Sequence, residues 1–207
     1  CVASGNYPNS STLSVEKETP VILRALDPLG LPPTLNLTFY GSFLELYGLN
    51  FTQLEVYGAH SVSIENCWTG KILSGVPQLT IVNSTLVNGI LQQDDQGHNR
   101  YTIHQSRVIG KWFRMRAKDS DITLMNVRFE TDEFNLVGFL NHTIQSCEFN
   151  NLSLFTIDTI NILEFKADRH ILINGSIFNQ NPTTSSLIQF RDWHGIDGGW
   201  TYLSVIN

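Results

Sequence analysis

The sequence predicts an all-β chain that coils into a parallel β-solenoid, and two observations support this prediction. The first is a six-residue pattern with an apolar residue at each end and a small or amide residue at its third position. It recurs at residues 46–51, 81–86, 103–108, 124–129, 144–149 and 173–178, with a looser copy at 64–68. The second is the content of the copies, in which Ile, Val, Thr and Phe alternate with polar residues, as is typical of β-strands.

The spacing of the copies sets the size of the coil. Their first residues are Leu46, Ile64, Ile81, Ile103, Leu124, Ile144 and Ile173, at intervals of 18, 17, 22, 21, 20 and 29 residues. A repeat of this length is the signature of a solenoid, in which each unit buries its apolar face only against its neighbours. We therefore expect coils of about 17–29 residues, with Ile81, Ile103, Leu124 and Ile144 stacked into one buried ladder.

The third position of the pattern predicts a corner. It is occupied by Gly48, Asn66, Asn83, Gln105, Asn126, Ser146 and Gly175. Gly and Asn tolerate the left-handed backbone conformation that would shift the alternation by one residue. The first, fourth and sixth residues of each copy can then all point inward.

A second apolar run follows most copies and predicts at least two strands in each coil. We favour three. These runs lie at residues 54–56, 112–115, 134–137 and 154–157. Leucine-rich repeats fit less well because they need a more regular leucine ladder. A left-handed hexapeptide coil is disfavoured because the unequal intervals break its strict register.

Two stretches carry a resemblance to a known fold family. Residues 142–151 (HTIQSCEFNN) and 171–180 (ILINGSIFNQ) resemble coils of the pectin lyase-like superfamily, which often read Ile-x-x-Ser-x-Phe followed by Asn. The resemblance implies a single-stranded right-handed parallel β-helix over about residues 35–190. That superfamily includes polysaccharide lyases and hydrolases, phage tailspikes, adhesins and surface proteins, so the resemblance concerns fold and not activity.

The chain is expected to form one domain with two distinct ends. Residues 1–34 are assigned to an N-terminal strap and a first strand at 21–26, residues 35–190 to the β-helix, and residues 191–207 to a C-terminal cap or continuation. Within the β-helix we expect a polar loop at 179–186 and a further strand at 187–190. Because the sequence opens on Cys1 rather than Met, we expect a processed chain or a fragment of a longer one.

Composition excludes several partners. The net charge is −6 and only 15% of the residues are charged, so no basic face for nucleic acid is expected. Acidic polysaccharides would be repelled unless a local basic patch exists. No apolar run approaches the ~20 residues of a membrane span.

Seven Asn-x-Ser/Thr sequons point to secretion. They begin at Asn9, Asn36, Asn50, Asn83, Asn141, Asn151 and Asn174. About three would be expected by chance, so we interpret the excess as N-glycosylation of a secreted or cell-surface protein. The alternative is that corners of a β-helix simply favour Asn, Ser and Thr. Asn50 is expected to point outward between two inward residues.

Three cysteines cannot all pair within the chain. Cys67 and Cys147 hold the same position in copies four coil steps apart, which at ~4.8 Å a step places them about 19 Å from each other. This is too far for a disulfide, and we expect both to be buried apolar residues. Cys1 is left with Cys67 or with a partner outside the chain.

The sharpest catalytic candidate is the acidic pair Asp94 and Asp95, with His98 after it. Two neighbouring carboxylates can share acid and base duty in glycoside hydrolysis. The pair resembles the Asp-Asp element of polygalacturonases, but the Asn-Thr-Asp, Gly-His-Gly and Arg-Ile-Lys motifs of that family are missing. We therefore interpret these residues as weak catalytic candidates in a solvated loop.

No cofactor or metal site is predicted. Asp119, Asp121, Glu130, Asp132 and Glu133 supply acidity, but they form no evident stack of the kind that a pectate lyase calcium site needs. The six histidines show no zinc-ligand spacing.

These observations favour a secreted, N-glycosylated β-helix that acts as a structural or adhesive extracellular module, within a fibre or surface assembly. Self-association or contact with neighbouring modules is expected, because a β-helix leaves unpaired backbone groups at both ends. The alternative is a carbohydrate-active or carbohydrate-binding β-helix. An enzyme is the less favoured of the two.

Overall fold

The computed structural model describes residues 1–3, 5–15, 18–26, 32–87, 90–94, 98–159, 169–180, 187–192 and 201–206. Within these ranges the chain is all-β, and every strand pairing is parallel. Each strand pairs with strands about one coil earlier and later in the sequence. The predicted parallel β-solenoid is therefore confirmed.

The described strands are β1 (Asn6–Ser14), β2 (Pro20–Arg24), β3 (Thr34–Tyr40), β4 (Phe43–Tyr47), β5 (Asn50–Tyr57), β6 (Ser61–Glu65), β7 (Trp68–Thr69), β8 (Ile72–Ser74), β9 (Gln78–Val82), β10 (Thr85–Val87), β11 (Ile90–Asp94), β12 (Arg100–His104), β13 (Arg107–Met125), β14 (Arg128–Gln145), β15 (Glu148–Leu152), β16 (Leu154–Thr159), β17 (Arg169–Asn174), β18 (Ile177–Gln180), β19 (Leu187–Asp192) and β20 (Thr201–Ile206). No helix occurs among the described residues. The part of the chain described here accordingly offers no helix that could cross a membrane.

The strands form three faces that run along the solenoid axis. Face A consists of β2, β4, β6, β9, β12, the ends of β13 and β14, β17 and β20. Face B consists of β7, β10, β15, β18 and the beginnings of β1, β3, β5, β13 and β14. Face C consists of β8, β11, β16, β19, the later parts of β1, β3 and β5, and the middles of β13 and β14. Three strands a coil are therefore present, as the second apolar runs suggested.

The predicted ladder of Ile81, Ile103, Leu124 and Ile144 is found in face A, and the first residues of the other copies extend it. Leu46, Ile64, Ile81, Ile103, Leu124, Ile144 and Ile173 are paired in register, each with its equivalent one coil away. All are buried. The ladder continues to Leu23 at one end and to Val205 at the other. The sequence repeat and the stacking register therefore coincide.

The predicted corner also exists. The residue at the third position has a positive φ in every copy: 65° at Gly48, 53° at Asn66, 46° at Asn83, 50° at Gln105, 53° at Asn126, 52° at Ser146 and 56° at Gly175. This left-handed residue turns the chain from face A to face B. It also allows the first and fourth residues of a copy to point into the same core.

Small polar residues at the fourth position line the inside of the corner. The Ser84 hydroxyl accepts the backbone N–H of Cys67 at 3.1 Å, and the Ser106 hydroxyl accepts that of Ser84 at 3.1 Å. Each hydroxyl donates in turn to the carbonyl two residues before it, from Ser84 to Val82 at 2.7 Å. Hydroxyls thus satisfy buried backbone donors where the regular ladder is interrupted.

Stacked phenylalanines form part of the core on two faces. In face B, Phe149 stacks on Phe129 and Phe178 with ring centroids 4.8 and 4.7 Å away. In face C, Phe134 stacks on Phe155 at 4.7 Å. The two stacks meet edge to face, with Phe149 5.2 Å from Phe134. Both geometries are favoured for aromatic pairs.

Parallel pairing extends into both terminal segments. The predicted strand at 21–26 is found as β2 and the one at 187–190 as β19. In segment 1–34, β1 pairs with β3 and β2 pairs with β4. In segment 191–207, β20 pairs with β17. The predicted polar loop at 179–186 is wrong at its start, because residues 179–180 belong to β18 and continue its pairing with β15. Residues 181–186 lie outside the described ranges.

Candidate functional site

A polar cluster surrounds the one catalytic candidate whose side chain is described. His98 Nδ1 lies 2.6 Å from the Asp119 carbonyl oxygen, and His98 Nε2 lies 3.7 Å from Asp121 Oδ2. Asn141 Nδ2 donates to Asp121 Oδ1 at 2.6 Å. Asp121 and Asn141 are register partners on face A. The coil repeat therefore brings together residues that are 20 or more positions apart in sequence.

The chemistry of this cluster is limited. If Nδ1 donates its proton to the Asp119 carbonyl, Nε2 presents a lone pair toward Asp121 at a distance beyond a hydrogen bond. The hydroxyl of the nearby Ser120 is buried and accepts the Asn99 N–H at 3.3 Å, so it is not presented to solvent as a nucleophile. We interpret the cluster as a surface hydrogen-bond network.

Only one residue of the predicted acidic pair has a described backbone. The backbone of Asp94 ends β11 and pairs with Ala117. Its side chain and the whole of Asp95 lie outside the described residues, so catalysis by this pair stays a prediction. Across the described ranges no three His, Cys, Asp or Glu side chains are grouped to hold a metal ion.

All charged residues of one coil are basic, and acidic residues of the next coil form ion pairs with some of them. Residues 100–118 contain six Lys and Arg and no Asp or Glu, whereas residues 119–133 contain five acidic residues and one Arg. The Arg107 guanidinium donates to both carboxylate oxygens of Glu130, at 3.1 and 2.5 Å, and Arg128 lies 2.7 Å from the same carboxylate. Arg114 lies 4.0 Å from Glu133. The hydrogen bond from Arg107 holds the pKa of Glu130 below its usual value. Glu130 and Glu133 therefore pair with arginines of their own and the preceding coil.

The predicted burial of Cys67 and Cys147 is confirmed, whereas the possible pairing of Cys1 with Cys67 is not found. Cys67 and Cys147 are buried and free, and Cys1 is exposed and free. Burial raises the pKa of both buried thiols to about 11. Because the thiolate is the reactive form, these two side chains are chemically inert packing groups.

The sequon asparagines whose side chains are described all reach the surface. Asn83 and Asn151 are exposed, and Asn36, Asn50, Asn141 and Asn174 are half-buried. Asn50 lies between the buried Leu49 and Phe51, so its predicted outward orientation is confirmed. The backbone of Asn9 lies in β1, and its side chain is outside the described set.

A patch on face C was not found from sequence. We call it the Tyr–Glu patch and define it as Thr38, Tyr40, Gln53, Glu55 and Tyr57. Tyr40 and Tyr57 stack at 5.3 Å and are 44% and 46% exposed. Glu55 accepts hydrogen bonds from Gln53 Nε2 at 2.5 Å and from Thr38 Oγ1 at 3.3 Å. The patch therefore combines an exposed aromatic pair with an ordered carboxylate.

The electrostatics of the patch are set by Glu55. Its negative charge is the largest cause of the raised pKa of Tyr57, followed by burial and by Tyr40. No ion pair among the described residues involves Glu55. A sequence signal did exist: Thr38-Phe-Tyr40 and Glu55-Val-Tyr57 repeat the same outward spacing 17 residues apart. This signal lies outside the six-residue pattern, which therefore does not predict the patch.

The apolar columns of face A are uncovered at β20. Leu203 and Val205 are 47% and 65% exposed, whereas their register partners Ile171 and Ile173 are 2% and 3% exposed. Among the described strands, β20 pairs only with β17. None of the described strands therefore covers the apolar side chains of β20.

Comparison with known proteins gives no relative. No family model, no curated protein and no solved structure matches the chain. The parallel β-solenoid is established by the strand pairing alone. Membership of the pectin lyase-like superfamily has no support beyond the resemblance of individual coils.

Proposed function

We propose that this chain is a secreted, N-glycosylated β-solenoid with a structural or adhesive role, and that copies stack head to tail. The observation that carries the stacking is the apolar layer of β20, which none of the described strands covers. Leu203 and Val205 expose apolar surface that each earlier coil of face A buries. Burying such surface is the main driving force of association.

The opposite end of face A offers a matching surface. Val21 and Leu23 in β2 are half-buried, whereas their register partners Leu44 and Leu46 are buried. Stacking β20 of one copy on β2 of the next places Leu203 over Val21 and Val205 over Leu23. Both columns then continue without interruption.

The backbone at these ends also favours stacking. Among the described strands, β2 pairs only with β4 and β20 only with β17. Val2 already donates its N–H to the Arg24 carbonyl at 2.7 Å and bridges Ala25, so the edge of β2 before Arg24 and the outer edge of β20 are the rows without a described ladder partner. Such edges recruit further strands. A contact between two different surfaces of the same molecule propagates into an open filament. Head-to-tail stacking of this kind would form a fibre or surface assembly.

Glycans fit the sides of such an assembly. The six sequon asparagines with described side chains lie on the sides of the coils, at half-buried or exposed positions. None belongs to the two end strands β2 and β20. Glycosylation at these positions would keep the flanks soluble while leaving the stacking surfaces bare.

Light scattering of the secreted protein tests the stacking with a matched pair of variants. Val205→Lys places a charge in the uncovered apolar column, whereas Ser204→Lys places the same charge on the outward side of the same strand. We expect concentration-dependent particles above the 23.3 kDa chain mass plus glycan for the parent and for Ser204→Lys, and single chains for Val205→Lys. Monomers for all three proteins would overturn the proposal.

A further inference from the structure

The sequon at Asn36 lies on the same side of the same strand as the Tyr–Glu patch. In β3, Leu37 and Phe39 are buried, while Asn36 and Thr38 are half-buried and Tyr40 is exposed. Alternate residues of a strand share one side and are ~7 Å apart, so Tyr40 lies about 13 Å along the strand from Asn36.

The next coil doubles this strip. Gln53, Glu55 and Tyr57 are the register partners of Asn36, Thr38 and Tyr40. Three outward pairs therefore run from the sequon asparagine to the stacked tyrosines. A strip of about 13 Å is long enough for the first two sugar rings of an N-linked glycan.

We propose that the Tyr–Glu patch is the docking surface for the chain's own glycan on Asn36. This inference rests on the proposed function, because it requires that Asn36 is glycosylated. The occupant is the pair of N-acetylglucosamine rings that begins every N-linked glycan.

The chemistry of the strip matches that occupant. Glu55 is contacted by three neutral groups, Thr38, Gln53 and the Tyr57 hydroxyl, and its remaining acceptor capacity can take a sugar hydroxyl or acetamido N–H group. Next to it, Tyr40 and Tyr57 expose nearly half of their surface. An aromatic ring with a polar tip suits a ligand that is apolar on one side and hydroxylated on the other.

No third large side chain continues the tyrosine stack in the strand register. On one side the partner of Tyr40 is the small Ser14. On the other side β8 ends at Ser74, the register partner of Val56, so no strand residue follows Tyr57 in its column. In the strand register, the stack therefore has a small residue on one side and no strand residue on the other.

Tethering explains why the ligand is the chain's own glycan. A group held by a short flexible link has an effective concentration on the order of mM. A weak contact between sugar and tyrosine is then populated without high affinity for sugars in solution.

A double-mutant cycle on the secreted glycoprotein tests the docking. Mass spectrometry first establishes that Asn36 carries glycan. Asn36→Gln and Tyr57→Ala are each expected to lower the melting temperature by about 2–4 °C, and the double variant to lower it no further than one single change, because both remove the same contact. The matched cycle of Asn151→Gln with Tyr57→Ala should be additive, because Asn151 lies on the turn between faces B and C, away from β3 and β5.

A second readout does not depend on stability. Nuclear Overhauser effects between the tyrosine ring protons and the N-acetyl methyl groups are expected in the parent and absent in Asn36→Gln. Additive melting shifts for Asn36→Gln and Tyr57→Ala, with glycan present and no such effects, would overturn the docking alone. An unmodified Asn36 in secreted protein would overturn the glycosylation at this site, and mass spectrometry alone would reveal it.

Discussion

Replacing Phe149 with alanine tests whether the stacked phenylalanines stabilise the solenoid as a continuous column. Phe149 is fully buried and contacts four rings: Phe129 at 4.8 Å, Phe178 at 4.7 Å, Phe134 at 5.2 Å and Phe155 at 5.3 Å. A buried Phe→Ala change costs about 3–5 kcal/mol of the free energy of unfolding. Each aromatic pair adds roughly 0.5–1.5 kcal/mol beyond burial. We therefore expect a loss at the upper end of that range.

Urea unfolding followed by circular dichroism measures this loss, with Phe43→Ala as the control. Phe43 is also an aromatic residue in a strand, but it is 39% exposed and contacts only the ring of His60 among the described aromatic pairs, at 6.0 Å. A surface change of this kind should cost under about 1 kcal/mol. A Phe149→Ala loss below about 2 kcal/mol, or one equal to that of Phe43→Ala, would refute the reasoning.

Three further predictions concern the corner and the thiols. Ser106→Ala should cost about 1–3 kcal/mol in the same unfolding assay, because it leaves the Ser84 N–H without its acceptor; no measurable change would contradict the hydroxyl ladder. Asn126→Val should cost about 1–2 kcal/mol because a β-branched residue resists the left-handed conformation, whereas Asn126→Gly should be close to neutral; equal losses would argue against the corner. Cys67 and Cys147 should not react with a thiol reagent at pH 8 in the folded protein, since their pKa is about 11, and should react on unfolding; rapid labelling of the native protein would contradict their burial.

The periodic parts of the structure were predictable from sequence because each depends on a short stretch of chain. A left-handed corner requires only that its own residue tolerate a positive φ, which Asn126 and Gly175 do. The inward ladder of Ile81 and Ile103 follows from the alternation within each copy and from the length of the repeat. Local conformation and hydrophobic pattern agree at these positions, and their agreement specifies the coil.

The functional surfaces depended on information that a local pattern does not contain. The contacts of His98 with Asp119 and Asp121 were missed, because they need the register between coils of unequal length. The same holds for the hydrogen bonds of Glu55 with Thr38 and Gln53, which join different strands of face C or alternate residues of one strand. A shift of one residue in the stacking would point every one of these side chains to the other side.

The residue pattern alone predicts a parallel solenoid, the positions of its corners and the residues that face the core. The stacking of the coils is needed to show which outward side chains meet, as Tyr40 and Tyr57 do, and which apolar side chains no described strand covers, as at Val205. Burial in a solenoid depends on the neighbouring coils, which a local pattern does not specify. The same apolar strand pattern is buried at Ile173 and exposed at Val205, because a coil covers the first and none of the described strands covers the second.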